Sequence, residues 1–124
     1  METQAAQQIK DLLSLFFEKG FTFDHTYQKG GDSSCVYIYR FIKNQNNYFE
    51  WRETSGEYEI HLFVCANGEY RFPDPLKKYK KQVGAFKRKH LFKRPTVEEK
   101  RELFGKLLLQ EFTENPTEFF GIKL

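Results

Sequence analysis

The sequence is poor in cysteine and has no long apolar run, and each of these absences excludes a class of protein. Its 124 residues include only two cysteines, Cys35 and Cys65. Two thiols are too few for a disulfide framework or a four-ligand zinc site, so we expect them to be reduced and buried. No apolar stretch approaches the roughly 18 residues of a membrane-spanning helix, and the N-terminus has no secretory pattern. These features predict a cytoplasmic protein.

Motifs for cofactors and metals are also lacking. The glycines form neither GxGxxG nor GxxxxGK[ST], the loops that hold phosphate groups. His61 and Cys65 lie on one predicted strand at a separation of about 13 Å, which is too far to share a metal ion. A Cys35–His61 dyad across two strands, with the cysteine as nucleophile, is possible but has no further support in the sequence. We therefore predict no cofactor and no metal site.

Positive charge, by contrast, is concentrated in one segment. Residues 75–97 contain nine lysines and arginines and no acid, whereas the rest of the chain contains 11 basic and 17 acidic residues. The net charge of +3 conceals this asymmetry. A run of uncompensated cations is typical of a surface that binds a polyanion. The basic residues are Lys77, Lys78, Lys80, Lys81, Lys87, Arg88, Lys89, Lys93 and Arg94.

Hydrophobic periodicity predicts a single α+β domain over residues 1–124. Apolar residues at three-and-four spacing indicate an N-terminal helix over 4–19, and Gly20 suits its end. Turn signals, of which Asn67-Gly68 is the strongest, divide residues 21–72 into a five-stranded antiparallel meander. The strands are expected near 21–28, 34–43, 48–53, 57–65 and 69–72.

The second half of the chain is expected to be mostly helical. Asp74 and Pro75 predict a helix start in the basic segment, residues 74–94, whose later part is either a loop or a second short helix. A capping box starting at Thr96 begins a helix over 96–114. The tail, residues 115–124, is expected to dock on the body, with a partner-binding motif as the alternative.

The faces of the sheet depend on the strand register. A four-residue loop at 44–47 places Ile42 opposite Phe49, and a two-residue loop at 55–56 places Trp51 opposite Ile60. A three-residue loop that includes Thr54 would move Phe49 and Trp51 to the other face. The predicted core face, covered by the two terminal helices in a two-layer sandwich, contains Val36, Ile38, Ile42, Phe49, Trp51, Tyr58, Ile60, Leu62 and Val64, with Arg40 as an exception. The opposite face contains Cys35, Tyr37, Tyr39, Phe41, Tyr48, Glu50, Arg52, His61, Phe63, Cys65, Tyr70 and Phe72.

The combination of cations and rings favours a non-enzymatic protein that binds single-stranded DNA or RNA. Lysines and arginines neutralise phosphates, and aromatic rings on a sheet stack on unpaired bases. The nine cations of the basic segment are the predicted phosphate contacts, and Tyr37, Tyr39 and Phe41 are the predicted stacking rings. The arrangement is similar to that of small sheet-platform binders, although the chain lacks the glycine-aromatic motif of the RNA-recognition fold.

Other functions also fit the sequence. A protein-interaction or dimerisation module would use the aromatic sheet face as its interface. A metal-free ribonuclease would use Glu50 and His61, predicted to lie opposite each other, with Arg52 as a phosphate clamp. A membrane-surface helix is disfavoured, because Gly84 interrupts the short apolar face of residues 76–83.

Overall fold

The N-terminal segment forms two short helices before the sheet begins. The computed structural model describes residues 3–29, 35–54 and 59–124. Helix α1 spans Gln4–Leu12, and a 3-10 helix follows at Ser14–Lys19. The Thr3 hydroxyl caps α1 by accepting from the Ala6 amide at 3.1 Å, and Gly20 ends the segment at φ 88°. The helix predicted over 4–19 is therefore divided into an α-helix and a 3-10 helix. Because a 3-10 helix has three residues per turn, Leu13 and Phe16 lie on the same side, and both are buried.

Five antiparallel strands follow and pair in chain order, which confirms the predicted meander. Asn67 and Gly68 have φ angles of 54° and 79°, as a type I′ turn requires. Residues 55–58, between β3 and β4, and residues 30–34, between β1 and β2, lie outside the described residues. The strands are β1 (Thr22–Lys29), β2 (Cys35–Asn44), β3 (Asn47–Thr54), β4 (Glu59–Ala66) and β5 (Glu69–Arg71).

The register between β2 and β3 differs from the predicted one by one residue. Asn44 pairs with Asn47, as the predicted alignment requires, but the register shifts by one residue between Asn44 and Ile42, so that Phe41 lies opposite Phe49. The predicted pairing of Ile42 with Phe49 is therefore wrong. Because side chains alternate along a strand, this shift moves the β2 side chains of residues 36–42 to the face opposite the predicted one.

The register between β3 and β4 differs by two residues, which leaves the faces unchanged. Trp51 lies opposite Leu62 rather than Ile60, and Phe49 lies opposite Val64. The predicted core members from β3 and β4 are therefore correct, except that Tyr58 lies outside the described residues. The predicted face was wrong for the β2 members: Val36, Ile38 and Ile42 lie on the outer face, where Ile38 is nonetheless buried, while Tyr39 and Phe41 belong to the core.

The C-terminal helices and a small hairpin complete the fold. The capping box predicted at Thr96 and Glu99 is present at the start of the last helix, and Phe119 and Ile122 are fully buried, so the tail docks on the body as expected. Among the described residues, no helix is both long and apolar enough to cross a membrane. The elements are α2 (Pro75–Lys78), α3 (Lys80–Lys89), α4 (Val97–Glu114), β6 (Glu118–Phe119) and β7 (Ile122–Lys123).

One face of the sheet, with the helices against it, holds the core. Helix α1 packs closely on α4 at Gly105, where a Cβ atom would lie 3.1 Å from the Leu12 side chain. The Trp51 indole donates to the buried Glu53 carboxylate at 2.9 Å. Arg101 of α4 donates to both oxygens of the same carboxylate, at 2.8 and 2.9 Å. The core is rich in phenylalanine, as the composition suggests, and contains Phe16, Phe21, Phe41, Phe49, Phe104 and Phe119.

Candidate nucleic-acid interface

Residues 75–94, here called the basic arm, run as α2, α3 and a short loop along the outside of α4. Asp74 caps α2 by accepting from the Lys77 amide at 3.2 Å, and Pro75 occupies the first turn, as predicted. The chain bends at Tyr79, which separates α2 from α3. The ambiguous stretch after Gly84 is helical as far as Lys89.

The start of the basic arm is pinned to α4 by a buried carboxylate. The Tyr79 hydroxyl donates to Glu111 at 2.6 Å and lies 3.3 Å from Glu114. Burial, followed by these two carboxylates, raises the pKa of Tyr79. The Lys78 ammonium forms an ion pair with the same Glu111 carboxylate. Lys78 therefore has a structural partner, which the sequence interpretation did not assign to it.

The rest of α3 is held by a stripe of side chains that face α4. Gln82 donates to Gln110 at 2.6 Å, and His90 Nε2 lies 2.7 Å from a Glu99 carboxylate oxygen. The residues 79, 82, 86 and 90 recur at helical spacing, so they share one side of the helix. Helix α3 has no buried residue, and its other sides remain open to solvent.

The cations of the basic arm, in α2, in α3 and in the loop after α3, are exposed. Apart from Lys78, none of them forms an ion pair with any residue in the part of the chain that the structure describes. Their charge is therefore uncompensated by direct contact, as a phosphate-binding surface needs. The exposed members are Lys77, Lys80, Lys81, Lys87, Arg88, Lys89, Lys93 and Arg94.

His90, at the end of α3, links this helix to α4. Its Nδ1 atom lies 2.8 Å from the Phe86 carbonyl oxygen, and Nε2 faces Glu99, so the protonated ring can donate at both nitrogens. The Glu99 contact, followed by the Phe86 carbonyl, raises the pKa of His90. The Thr96 amide, followed by His90, lowers the pKa of Glu99 to about 2. The sequence had suggested no partner for His90, because this pairing depends on how α3 lies against α4.

The outer face of the sheet carries a ladder of arginines and rings around a buried acid. Glu50 is only 3% exposed and accepts from Arg40 Nε at 3.0 Å and Arg52 Nε at 2.8 Å. The Arg52 guanidinium lies 4.5 Å from the Phe63 ring centroid, and Arg40 lies 5.3 Å from that of Tyr48. Two cations and one anion leave this ladder with a net positive charge.

Exposed rings extend the ladder toward the edge of the sheet. The rings of Tyr70 and Phe72 lie 5.3 and 5.2 Å from that of Phe63, and they are 67% and 74% exposed. Tyr70, Phe72 and Phe63 were assigned to this face in the sequence analysis, but not as binding residues. The alternation of side chains along β4, β5 and the next residue is the sequence signal that places these three rings on one face.

The three rings that were predicted to stack on bases do not form a platform on this face. Tyr39 is 3% and Phe41 is 0% exposed, both within the core, so the prediction that these two rings are offered to bases is wrong. Tyr37, on the same side of the sheet, is 39% exposed and packs against Tyr27 at 5.0 Å between ring centroids. The one-residue slip of β2 accounts for all three positions.

A cleft of about 910 Å³ joins the outer face of the sheet to the basic arm. It exists because β5 is short: β5 pairs with β4 only at residues 64–66, so no described strand covers the first half of β4 on this side. The arm passes this uncovered edge instead. Residues of the ladder and of the arm thus line one cavity, among them Arg52, His61, Phe63, Phe72, Leu76 and Lys87.

The arrangement expected for a ribonuclease does not form. Glu50 lies opposite Phe63, and its carboxylate is occupied by two arginines. His61 lies opposite Arg52 and is 3.3 Å from Glu59, with its side chain 60% exposed. The predicted pairing of Glu50 with His61 is therefore wrong, and the acid is not placed to act as a general base.

Within the described ranges, no group of three histidine, cysteine or acidic side chains is placed to hold a metal ion. Cys65 is a buried free thiol, as expected, and the Cys35 side chain lies outside the described part. Comparison of the chain with protein-family models, with curated proteins and with solved structures finds no match.

Proposed function

We propose that this protein binds single-stranded nucleic acid without enzymatic action. The observation that carries the proposal is the cleft, because it makes the aromatic ladder and the basic arm one continuous surface. Aromatic rings stack on unpaired bases regardless of sequence, and lysines and arginines hold the phosphates between them. A duplex keeps its bases stacked inside, so it could use only the cations.

In this account the roles are divided by element. Phe72 and Tyr70 present ring faces to bases, with Phe63 and Arg52 behind them. The arm supplies the phosphate contacts through its exposed cations, with Lys78 excluded because Glu111 holds it. Tyr37, Tyr39 and Phe41 take no part.

Charge reversal on the arm tests the proposal. The variant Lys80→Glu, Lys81→Glu, Arg88→Glu, Lys89→Glu changes four exposed residues that lack an ion pair among the described residues. We expect fluorescence anisotropy to show at least a hundredfold loss of affinity for a single-stranded oligonucleotide. The salt slope on log–log axes should become less negative by about 3, at 0.7 per phosphate contact.

The matched control makes the same change of charge elsewhere on the surface. Lys19, Lys29, Lys106 and Lys123 are exposed and lie outside the arm. Their replacement by glutamate should lower affinity only through the net charge, and less than the arm variant does. Equal losses in the two variants would contradict an arm-specific interface, and full affinity in the arm variant would overturn the proposal.

A protein-interaction role has its own support in the loop after α3. Leu91 is 70% and Phe92 is 101% exposed, so two large apolar side chains stand open to solvent. Such exposure is typical of protein-binding surfaces. If no nucleic acid binds at low salt, this becomes the leading function, and the mass in solution tests whether a second copy is the partner.

A further inference from the structure

The cleft has an apolar interior, and binding of a nucleic-acid backbone does not require apolar walls. Its deeper lining is apolar and comes from three elements: β4, α3 and α4. A volume of about 910 Å³ falls within the range of small-molecule pockets. Phosphates and riboses gain nothing from such walls, whereas a hydrocarbon body does. The apolar lining residues include Ile60, Leu62, Val83, Phe86, Leu103 and Phe104.

Cations outnumber acids along the cleft, since Arg52, Lys87 and Lys100 line it together with Glu59 and Asp74. Neither acid forms an ion pair with Lys87 or Lys100 in the described ranges: Glu59 lies 3.3 Å from His61, and Asp74 accepts from the Lys77 amide. Lys87 of α3 and Lys100 of α4 also line it, and neither has an ion pair within the described ranges. Helices α3 and α4 therefore each contribute to this cavity an ammonium group that has no ion pair among the described residues.

We infer that this cleft binds an aliphatic carboxylate, with its chain along the apolar walls and its head group at Lys87 and Lys100. The geometry matches the usual division of a ligand site, in which apolar walls supply affinity and a few polar groups fix orientation. A carboxylate satisfies the ammonium groups through charge-assisted hydrogen bonds. This inference shares Lys87 with the proposed phosphate contacts, but it uses none of the rings proposed to stack on bases and does not rest on the proposed function.

Calorimetric titration with three probes that share a ten-carbon chain tests the site in the intact protein. Decanoate should bind saturably, decanol more weakly because it lacks the charge, and decyltrimethylammonium weakest because the lysines repel it. Shortening the acid to octanoate should weaken binding severalfold, since each buried methylene contributes about fourfold in affinity at full burial. Equal affinity for the cationic and anionic probes, or no saturable binding of decanoate, would overturn the inference.

Two variants locate the binding site. Lys87→Gln with Lys100→Gln should weaken decanoate binding at least tenfold and leave decanol binding within twofold. The matched control, Lys106→Gln with Lys123→Gln, removes the same charge outside the cleft and should change neither. A Val83→Trp variant that retains the parent melting temperature should lose both ligands, because the indole fills the cavity. Unaltered decanoate affinity in the lysine variant would contradict the placement of the head group.

Discussion

Phe41 and Phe72 show how different the roles of two rings in one small sheet are. Phe41 is fully buried and stacks on Phe49 with 4.9 Å between centroids. Phe72 is 74% exposed and touches Phe63 only through an edge contact. One ring fills the core, and the other is available to a partner.

Alanine substitution at each position should therefore separate stability from binding. Phe41→Ala removes a core ring and should lower the free energy of unfolding by about 3–5 kcal/mol. Phe72→Ala should change stability by less than about 0.5 kcal/mol, yet weaken single-strand binding by about 1–3 kcal/mol through the lost stacking. Urea denaturation and anisotropy measure the two quantities. Unchanged affinity in Phe72→Ala would remove this ring from the interface.

Arg40 was the residue that could have corrected the predicted register. With a four-residue loop it was the only charged side chain on the core face. With the register shift between Ile42 and Asn44 it lies on the outer face, opposite Glu50. A shift between Ile42 and Asn44 leaves the turn itself unchanged, so local turn preferences at residues 44–47 do not reveal it. The Arg40–Glu50 ion pair across the strands favours the observed register, but it is found only when the two registers are compared for charge pairing as well as for apolar burial.

At the scale of elements, α3 is held mainly at its ends. Tyr79 and Glu111 fix its start, and His90 and Glu99 fix its end. The strands could be predicted within one or two residues of their observed ends, because alternation and turn signals are local. The placement of α3 could not, because its partners on α4 are up to 35 residues away and the helix has no buried residue of its own.

The His90–Glu99 contact makes the end of the arm sensitive to pH. Folding raises the pKa of His90 above its usual 6.5, so the stabilisation is complete below that pH and is lost as pH rises through the folded pKa. Folding lowers the pKa of Glu99 to about 2, so its contribution is present above its usual 4.5 and is lost as pH falls toward 2. The contact is therefore strongest between about pH 4.5 and 6.5.

An NMR titration of His90 checks this. The wild-type protein should show a His90 pKa above 6.5. Glu99→Gln should return the pKa toward 6.5, while glutamine preserves the capping box at the start of α4. Glu98→Gln, one residue away and exposed, is the control and should leave the pKa unchanged. A wild-type pKa at or below 6.5 would mean that the contact does not persist in solution.

At the scale of the whole molecule, the fold places a basic arm beside the outer face of an otherwise mildly acidic body. The charge asymmetry was visible in the sequence. The cleft was not, because it depends on β5 ending at Arg71 and on the bend at Tyr79 between α2 and α3. These two features bring Phe72 and Lys87 to one cavity.

The most direct test of the central claim is the salt dependence of nucleic-acid binding by the unmodified protein. Labelled single-stranded DNA, single-stranded RNA and duplex would be titrated by fluorescence anisotropy at several salt concentrations. We predict a preference for single strands and a log–log slope of about −3 to −5, equal to roughly four to seven phosphate contacts. Equal affinity for duplex and single strands would contradict a role for the exposed rings. No binding at low salt would contradict the account as a whole.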